Sequence, residues 1–176
     1  MSTLYRYFLI IVACSAILFG IQIPSFVDQY EKRLDAHFIE VQTNLRGFQE
    51  IADRFHGGSL EALIEKHEKS NDATFQGEAK PIRDMYHRFL KFQAEKAALA
   101  TSLPKKLAFI AVQGDKDLVN ETRKSYSYTI PLNQSAVISG FVSAGIVILV
   151  FELLRVILVA LARPRSPTFK RSRAKA

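Results

Sequence analysis

The chain has 176 residues, a formal net charge of +7 and a single cysteine, Cys14. One cysteine cannot form an intrachain disulfide, which excludes a small disulfide-stapled domain. Sixteen of the 24 Lys and Arg residues and sixteen of the 17 Asp and Glu residues lie between positions 24 and 135. This middle region is therefore neutral, and the basic surplus lies near the two ends.

Two uncharged apolar runs, residues 7–23 and 136–151, lie on either side of the neutral region. The first has the roughly 17 residues that a membrane helix needs as a minimum, and the second continues past Glu152 through further apolar residues. Short cytoplasmic flanks of membrane helices are enriched in Lys and Arg. We therefore predict a transmembrane helix at 7–23 and a second one within 136–161, which also includes a cytoplasmic extension. The protein would be a multi-pass protein of the bacterial inner membrane with both termini in the cytoplasm.

The first run also has features of a signal peptide. Arg6 precedes it, and the residues before Cys14 resemble a lipoprotein cleavage box. However, only about seven apolar residues precede Cys14, which is short for a cleaved segment, and the apolar run continues beyond it. We favour an uncleaved anchor in which Cys14 is a small apolar residue of a membrane helix.

Small residues recur at four-residue spacing in both runs. Such faces let helix backbones approach closely in lipid. Either the two spans pack on each other within one chain, or the faces serve self-association or docking to a larger membrane partner. The predicted helix-packing residues are Ala16, Gly20, Ala136, Gly140 and Ala144.

One long helix is predicted over residues 25–55, opened by Pro24 and ended by Gly57 and Gly58. It can continue directly from the first span. Apolar residues alternate along it at spacings of four and three, as in the seam of a coiled coil. The predicted seam consists of Leu34, Phe38, Val41, Leu45, Phe48, Ala52 and Phe55.

Shorter elements follow the long helix. Ser59 is expected to cap a helix over residues 60–69, and a helix over 78–101 has Pro81 in its first turn. Pro104 starts another helical segment, and residues 117–124 form a last polar helix. Residues 126–131 are predicted to be an extended re-entry strand, with its tyrosines near the outer interface of the membrane.

These elements predict an all-α protein, in which two transmembrane helices carry an extramembrane antiparallel helical bundle with one long coiled-coil-like helix. Residues 1–6 are the predicted cytoplasmic N-terminus and 7–23 the first span. Residues 24–135 form a periplasmic helical domain. Residues 136–161 form the second span with a cytoplasmic extension, and 162–176 form a basic cytoplasmic tail.

The chain contains no recognisable catalytic or metal-binding pattern. A metal site needs three or four converging ligands, and the histidines lack a suitable spacing. No nucleophile elbow, phosphate-binding loop or dinucleotide fingerprint occurs. We predict that the protein is not an enzyme and takes no metal or cofactor. The histidines are His37, His56, His67 and His87.

The basic tail after the second span is predicted to contact anionic lipid headgroups, with about 1 kcal/mol for each basic residue near the surface. Its position directly after a membrane helix makes nucleic-acid binding the weaker explanation. Glu152 and Arg155 are interpreted as an ion pair at the cytoplasmic interface, the alternative being an ionisable functional group within the bilayer. The predicted headgroup contacts are Arg163, Arg165, Lys170, Arg171, Arg173 and Lys175.

Three segments together resemble a known family. They are Gln22-Ile-Pro-Ser-Phe-Val-Asp-Gln-Tyr-Glu-Lys-Arg-Leu after the first span, His56-Gly-Gly-Ser-Leu, and Ile130-Pro-Leu before the second span. In this order they resemble uncharacterised proteobacterial two-span inner-membrane proteins of the domain-of-unknown-function kind, over nearly the whole chain. The resemblance implies the two-span architecture and assigns no activity or catalytic residue.

From these patterns we expect a non-enzymatic accessory, scaffold or regulatory protein of a cell-envelope complex. It would act through helix–helix contacts with a protein partner or a second copy, and through contact with membrane lipid. The alternative is a periplasmic sensor or ligand-binding module that signals through a partner protein, since two spans flanking a helical bundle are the layout of chemoreceptor-like input domains.

Overall fold

The computed structural model describes residues 3–128 and 133–162, and within them every regular element is an α-helix. The predicted all-α class is thus confirmed for the described chain. The helices are α1 (Thr3–Phe55), α2 (Leu60–Glu68), α3 (Ala73–Leu99), α4 (Leu103–Val112), α5 (Lys116–Lys124) and α6 (Gln134–Ala162). They form two compact units, Met1–Ile21 with Leu132–Ala176 and Gln22–Pro131, and α1 contributes to both.

The first unit contains the first part of α1 together with α6. Both helices are long and apolar enough to cross a membrane. Large apolar side chains cover their outer surfaces, among them Phe19 and Phe141, which are 76% and 66% exposed. The rings of Phe8 and Phe151 meet edge to face, with their centroids 5.7 Å apart. Exposed apolar surface of this kind is typical of helices that contact lipid or another protein.

Glycines allow the backbones of these two helices to touch. A Cβ atom at Gly20 would lie 2.7 Å from the carbonyl oxygen of Ser139, and one at Gly140 would lie 3.2 Å from the carbonyl oxygen of Ile17. At Gly20 nothing larger than a hydrogen atom fits. Glycine therefore sets how closely α1 and α6 approach.

Helix α1 passes through Pro24 without ending. Proline has no N–H, so the carbonyl four positions earlier, that of Gly20, loses its helical donor. The hydroxyl of Ser139 on α6 donates to that carbonyl oxygen at 2.7 Å. A side chain of the neighbouring helix thus replaces the missing backbone bond. The predicted helix start at residue 25 is therefore wrong, because α1 runs without a break from the first apolar run into the second unit.

The second unit has a core to which all five of its helices contribute. Helix α2 packs on α3, and α3 packs on α4. Burying each large apolar side chain contributes about 1.5–3 kcal/mol to folding, so this core holds the four short helices against α1. Its buried residues are Val27, Tyr30, Leu34, Val41, Leu45, Ala52, Leu60, Leu63, Phe92, Leu99, Ile110 and Leu118.

Polar caps define the starts of three helices in this unit. The side chains of Ser59, Asp72 and Asp115 accept backbone N–H bonds at the first turns of α2, α3 and α5. Because Asp72 supplies a cap, α3 begins at Ala73 and not near residue 78. Pro81 therefore lies in the interior of α3, which corrects its predicted place in a first turn.

Three further helices of the second unit lie where the sequence predicted them. The helix predicted over 60–69 is α2, the segment predicted from Pro104 is α4, and the helix predicted over 117–124 is α5. Residues 126–128 belong to neither a helix nor a strand, and the rest of the predicted strand, 129–131, lies outside the described residues.

Candidate functional site

A buried polar cluster lies between α1, α3 and the start of α5, inside the second unit. Its members are Tyr30, Glu95 and Asp115, which are 0%, 5% and 8% exposed. Helical spacing places Tyr30 four residues before Leu34 and Glu95 four residues before Leu99, so both polar side chains lie on core-facing stripes. Polar groups buried this deeply are retained only when they are hydrogen-bonded.

The Tyr30 hydroxyl connects the three helices. It donates to the Glu95 carboxylate and accepts the backbone N–H of Asp115 at 3.0 Å. The same N–H also reaches Glu95 Oε1, at 3.1 Å. Burial, followed by the hydrogen bond to Glu95, raises the pKa of Tyr30 well above its usual value of 10.0. The phenol therefore stays protonated and acts as a hydrogen-bond donor.

Asp115 joins this cluster to the N-terminus of α5. One carboxylate oxygen accepts the N–H groups of Asp117 and Leu118 at 2.8 and 2.9 Å, and the other accepts Lys91 Nζ. Burial alone would raise the pKa of Asp115, but the Lys91 ammonium and the two N–H groups outweigh it and hold that pKa below its usual 3.8. Asp115 is therefore an anion that serves as a cap and as an ion-pair partner.

Gly114 makes room for this arrangement. A Cβ atom there would lie 2.7 Å from the Ile110 carbonyl oxygen and 3.1 Å from the Tyr30 hydroxyl oxygen. Any side chain would force apart the turn between α4 and α5, which carries the Asp115 N–H to Tyr30. The glycine is thus required by a close approach and not by its backbone angles, since the positive-φ glycines of the described chain are Gly57 and Gly58.

An open cleft of about 490 Å³ lies beside the buried cluster. Side chains from α1, α3 and α5 line it, and they carry both signs of charge. The cationic groups include Arg88 and Lys124, and the anionic groups include Asp117 and Glu121. A cleft with this lining can bind a small charged or zwitterionic molecule through paired electrostatic contacts.

His37 forms the α1 wall of this cleft. Its Nε2 lies 3.0 Å from a Glu121 oxygen, and its ring packs against Phe92 with the centroids 6.0 Å apart. Its Nδ1 is buried and has no hydrogen-bond partner, because the nearest Glu40 oxygen is 3.6 Å away. Among the described residues, no group of three or more His, Cys, Asp and Glu could hold a metal ion.

One family model matches residues 4–164, which is most of the chain and includes parts of both units. The chain belongs to the DUF2937 family. That family is described as a protein of unknown function, which confirms the resemblance to a domain-of-unknown-function family and assigns no activity. No curated protein sequence and no solved structure matches this DUF2937 chain.

The predicted helix-packing residues of this DUF2937 member meet along the contact between α1 and α6. Ala16, Ala136 and Ala144 are 8%, 0% and 6% exposed, and Gly20 and Gly140 are buried. Gly20 and Gly140 face the other helix of the same chain, Gly20 against Ser139 and Gly140 against Ile17. The alternative, that these faces serve self-association or docking to a larger membrane partner, would need this packing to open.

The predicted seam of α1 faces the core of its own unit over most of its length. Leu34, Val41, Leu45 and Ala52 are buried, and Phe38 and Phe48 are partly buried against them. The Phe38 and Phe89 rings stack with their centroids 5.3 Å apart. Phe55, the last seam residue, is 74% exposed. The six predicted headgroup contacts from Arg163 to Lys175 lie outside the described residues.

Sequence reasoning missed the cluster of Tyr30, Glu95 and Asp115. Its one local signal is the pair Gly114-Asp115 directly before a polar helix, which is typical of a turn followed by an N-cap. Glu95 resembled any other acid of a charged helix, because its burial depends on a tyrosine 65 positions away. The Glu152–Arg155 pair does form, with 3.3 Å between Oε2 and Nε.

Proposed function

We propose that this DUF2937 protein is a non-enzymatic accessory, scaffold or regulatory protein of a cell-envelope complex. It is held in the bacterial inner membrane by α1 and α6, with residues 24–135 in the periplasm, and acts through helix–helix contacts. The neutral middle region and the basic ends support this orientation, since basic flanks stay in the cytoplasm.

The observation that carries the proposal is the uncovered end of the α1 seam. Ile51 and Phe55 lie four residues apart on one face and are 42% and 74% exposed, although Ala52 between them is fully buried. Exposed aromatic and aliphatic side chains that adjoin a packed seam are the usual anchors of helix–helix recognition. We therefore assign the partner contact to this end of α1.

Photo-crosslinking in cells tests the proposal. A benzoylphenylalanine introduced at Phe55 should give a discrete adduct of higher mass in membrane extracts. Ile39 is the matched control, because it is 58% exposed but lies 16 residues earlier, about 160° around the helix. Mass spectrometry of the adduct distinguishes a second copy from another protein. Monomer alone at Phe55, together with a strictly monomeric species in native mass spectrometry of gentle detergent extracts, would refute the proposal.

The charged cleft favours one alternative, a periplasmic sensor or ligand-binding module that signals through a partner. Arg88 lines the cleft and lies over the Phe92 ring, with 5.7 Å from Cζ to the centroid. Thermal-shift screening of the full-length protein in detergent with charged envelope metabolites tests this alternative. A ligand that stabilises the wild type but not Arg88→Ala would support it, and no stabilisation by any compound would count against it.

A further inference from the structure

Helix α4 presents an apolar face to the outside of the second unit. Its core side holds Ile110, which is 5% exposed. Its opposite side consists of exposed residues at helical spacing, and Val112 among them is 80% exposed. The face comprises Pro104, Leu107, Ala108, Ala111 and Val112. We call it the α4 face.

The charged residues on α4 and at the first position of α5 are basic, and the exposed Asp117 that follows lines the charged cleft. Within α4 the charged residues are Lys105 and Lys106, and Lys116 follows at the start of α5. Lys106 is bound to Glu31 of α1 at 2.6 Å, whereas Lys105 and Lys116 are exposed. A groove of about 270 Å³ runs from Val112 to Lys116, between α4 and α5. An apolar face edged with lysines complements an anionic lipid surface.

The contacts of α4 place this face near the start of the second unit. Glu31, which holds Lys106, lies eight residues after Ile23, the end of the first apolar run, and this corresponds to about 12 Å of helix. Tyr126 donates to the Gln22 side chain at 2.6 Å, and the neighbouring Tyr128 is 81% exposed. Tyrosines are enriched at the level of lipid headgroups.

We propose that the α4 face rests on the bilayer next to the spans, with its apolar side chains among the headgroups and with Lys105 and Lys116 on anionic phospholipid. This contact is separate from the partner contact assigned to Phe55. Through this contact the second unit would bind the membrane surface directly, in addition to being attached to the membrane by α1 and α6. The contact would hold the unit against the membrane surface.

Fluorescence of the full-length protein in vesicles tests the proposal. In a Cys14→Ser background, an environment-sensitive dye is attached through Val112→Cys or, as the control, Ile39→Cys. These positions are 80% and 58% exposed, so neither label disturbs the core. In vesicles of phosphatidylethanolamine and phosphatidylglycerol, nitroxide-labelled lipid should quench the dye at 112 and not at 39. Iodide in the water should quench the dye at 39 more strongly.

The charge dependence gives a second readout. Lys105→Gln and Lys116→Gln should each lower the ratio of protein with the α4 face on the bilayer to protein with that face in water about fivefold. For the protein with both lysines, vesicles of phosphatidylcholine alone should also lower this ratio. Equal iodide access at positions 112 and 39 in anionic vesicles would overturn the proposal. Shielding of position 112 in native membranes but not in lipid vesicles would also overturn it, because a protein would then be the occupant.

Discussion

Asp115 is the residue of the polar cluster that contacts the largest number of helices in the second unit. Its side chain caps α5 and pairs with Lys91 on α3, while its backbone N–H binds Tyr30 on α1. Each bond fixes the turn between α4 and α5 to a different helix. A buried polar group that loses its hydrogen-bond partner lowers the stability of the folded protein. We therefore expect single substitutions in this cluster to lower the free energy of unfolding.

Replacing Lys91 with methionine tests the ion pair through its pH dependence. The folded pKa of Asp115 is lower than its usual value of 3.8, which applies to the unfolded chain. Its contribution to stability is therefore present above about pH 4 and is lost as pH falls through the folded pKa. Because Lys91 is 58% exposed, we expect Lys91→Met to lower the free energy of unfolding by only about 1 kcal/mol at pH 7.

The measurement is chemical denaturation of the full-length protein in detergent at pH values from neutral to about 3. The difference between wild type and Lys91→Met should shrink below about pH 4. The exposed Lys80, also on α3, provides the control Lys80→Met, which should change little at any pH. A difference that stays constant down to pH 3 would mean that packing of the lysine stem, and not the charge, is responsible.

Substitution by alanine should change the unfolding free energy in opposite directions at Gly114 and Gly47. Gly114→Ala would place a methyl group 2.7 Å from the Ile110 carbonyl oxygen, and we expect a loss of about 1–3 kcal/mol in unfolding free energy. Gly47→Ala, in α1 with nothing within 4 Å, should gain about 0.5–1 kcal/mol from helix propensity. Thermal unfolding of both variants decides the matter. An unchanged midpoint for Gly114→Ala would show that the turn can relax.

Among the elements, α1 depends on a hydrogen bond from another helix at the point where proline interrupts its own. Gly20 and Gly77 stand four positions before Pro24 and Pro81, so in both helices the proline ring meets a residue without a side chain. Gly77 is exposed, and water can bond its carbonyl, whereas Gly20 is buried and is served by Ser139.

A double-mutant cycle measures this bond. Ser139→Ala alone should lower stability in detergent by about 1 kcal/mol, because the Gly20 carbonyl is left without a donor. In a Pro24→Ala background, residue 24 regains its N–H, and the same change at Ser139 should have little effect. Thermal unfolding midpoints of the four proteins report the coupling.

The control for the cycle is Ser15→Ala. The Ser15 hydroxyl donates to the Ile11 carbonyl of its own helix at 2.9 Å, so its loss should not couple to Pro24. Equal effects of Ser139→Ala with and without Pro24 would show that Ser139 contributes by packing alone.

Sequence periodicity predicted the elements better than it predicted their boundaries. The four-three spacing from Leu34 to Ala52 marks the stripe that α1 buries, because apolar periodicity reports burial whatever covers it. It could not say that the cover comes from the same chain. The predicted helix starts at Pro24 and Pro81 were wrong, because both prolines lie inside helices. The group that bonds the carbonyl left free by each proline is a residue far along the chain or water, which local sequence does not reveal.

For the whole molecule, long-range contacts limited what the sequence could show. The cluster of Tyr30, Glu95 and Asp115 joins positions 65 and 85 residues apart in sequence, and no local pattern encodes such pairings. Small residues at four-residue spacing in the two apolar helices predict a close helix contact, because such residues let helix backbones approach. Their partner became evident only from the short Gly20–Ser139 approach.

The distribution of charge predicts the orientation of the whole chain. We predict that both termini are cytoplasmic and that residues 24–135 are periplasmic. Six basic residues lie in the last 14 positions and would have to cross the membrane in the opposite orientation, whereas the middle region is neutral. An alkaline phosphatase reporter fused after Gly77 should be active, and one fused after Ala176 should be silent. A cytoplasmic reporter at the same two points is the control and should show the reverse pattern.

Activity of the phosphatase after Ala176 would contradict the orientation. The intact mass of the purified protein would show separately whether the chain is cleaved near Cys14 and loses Arg6.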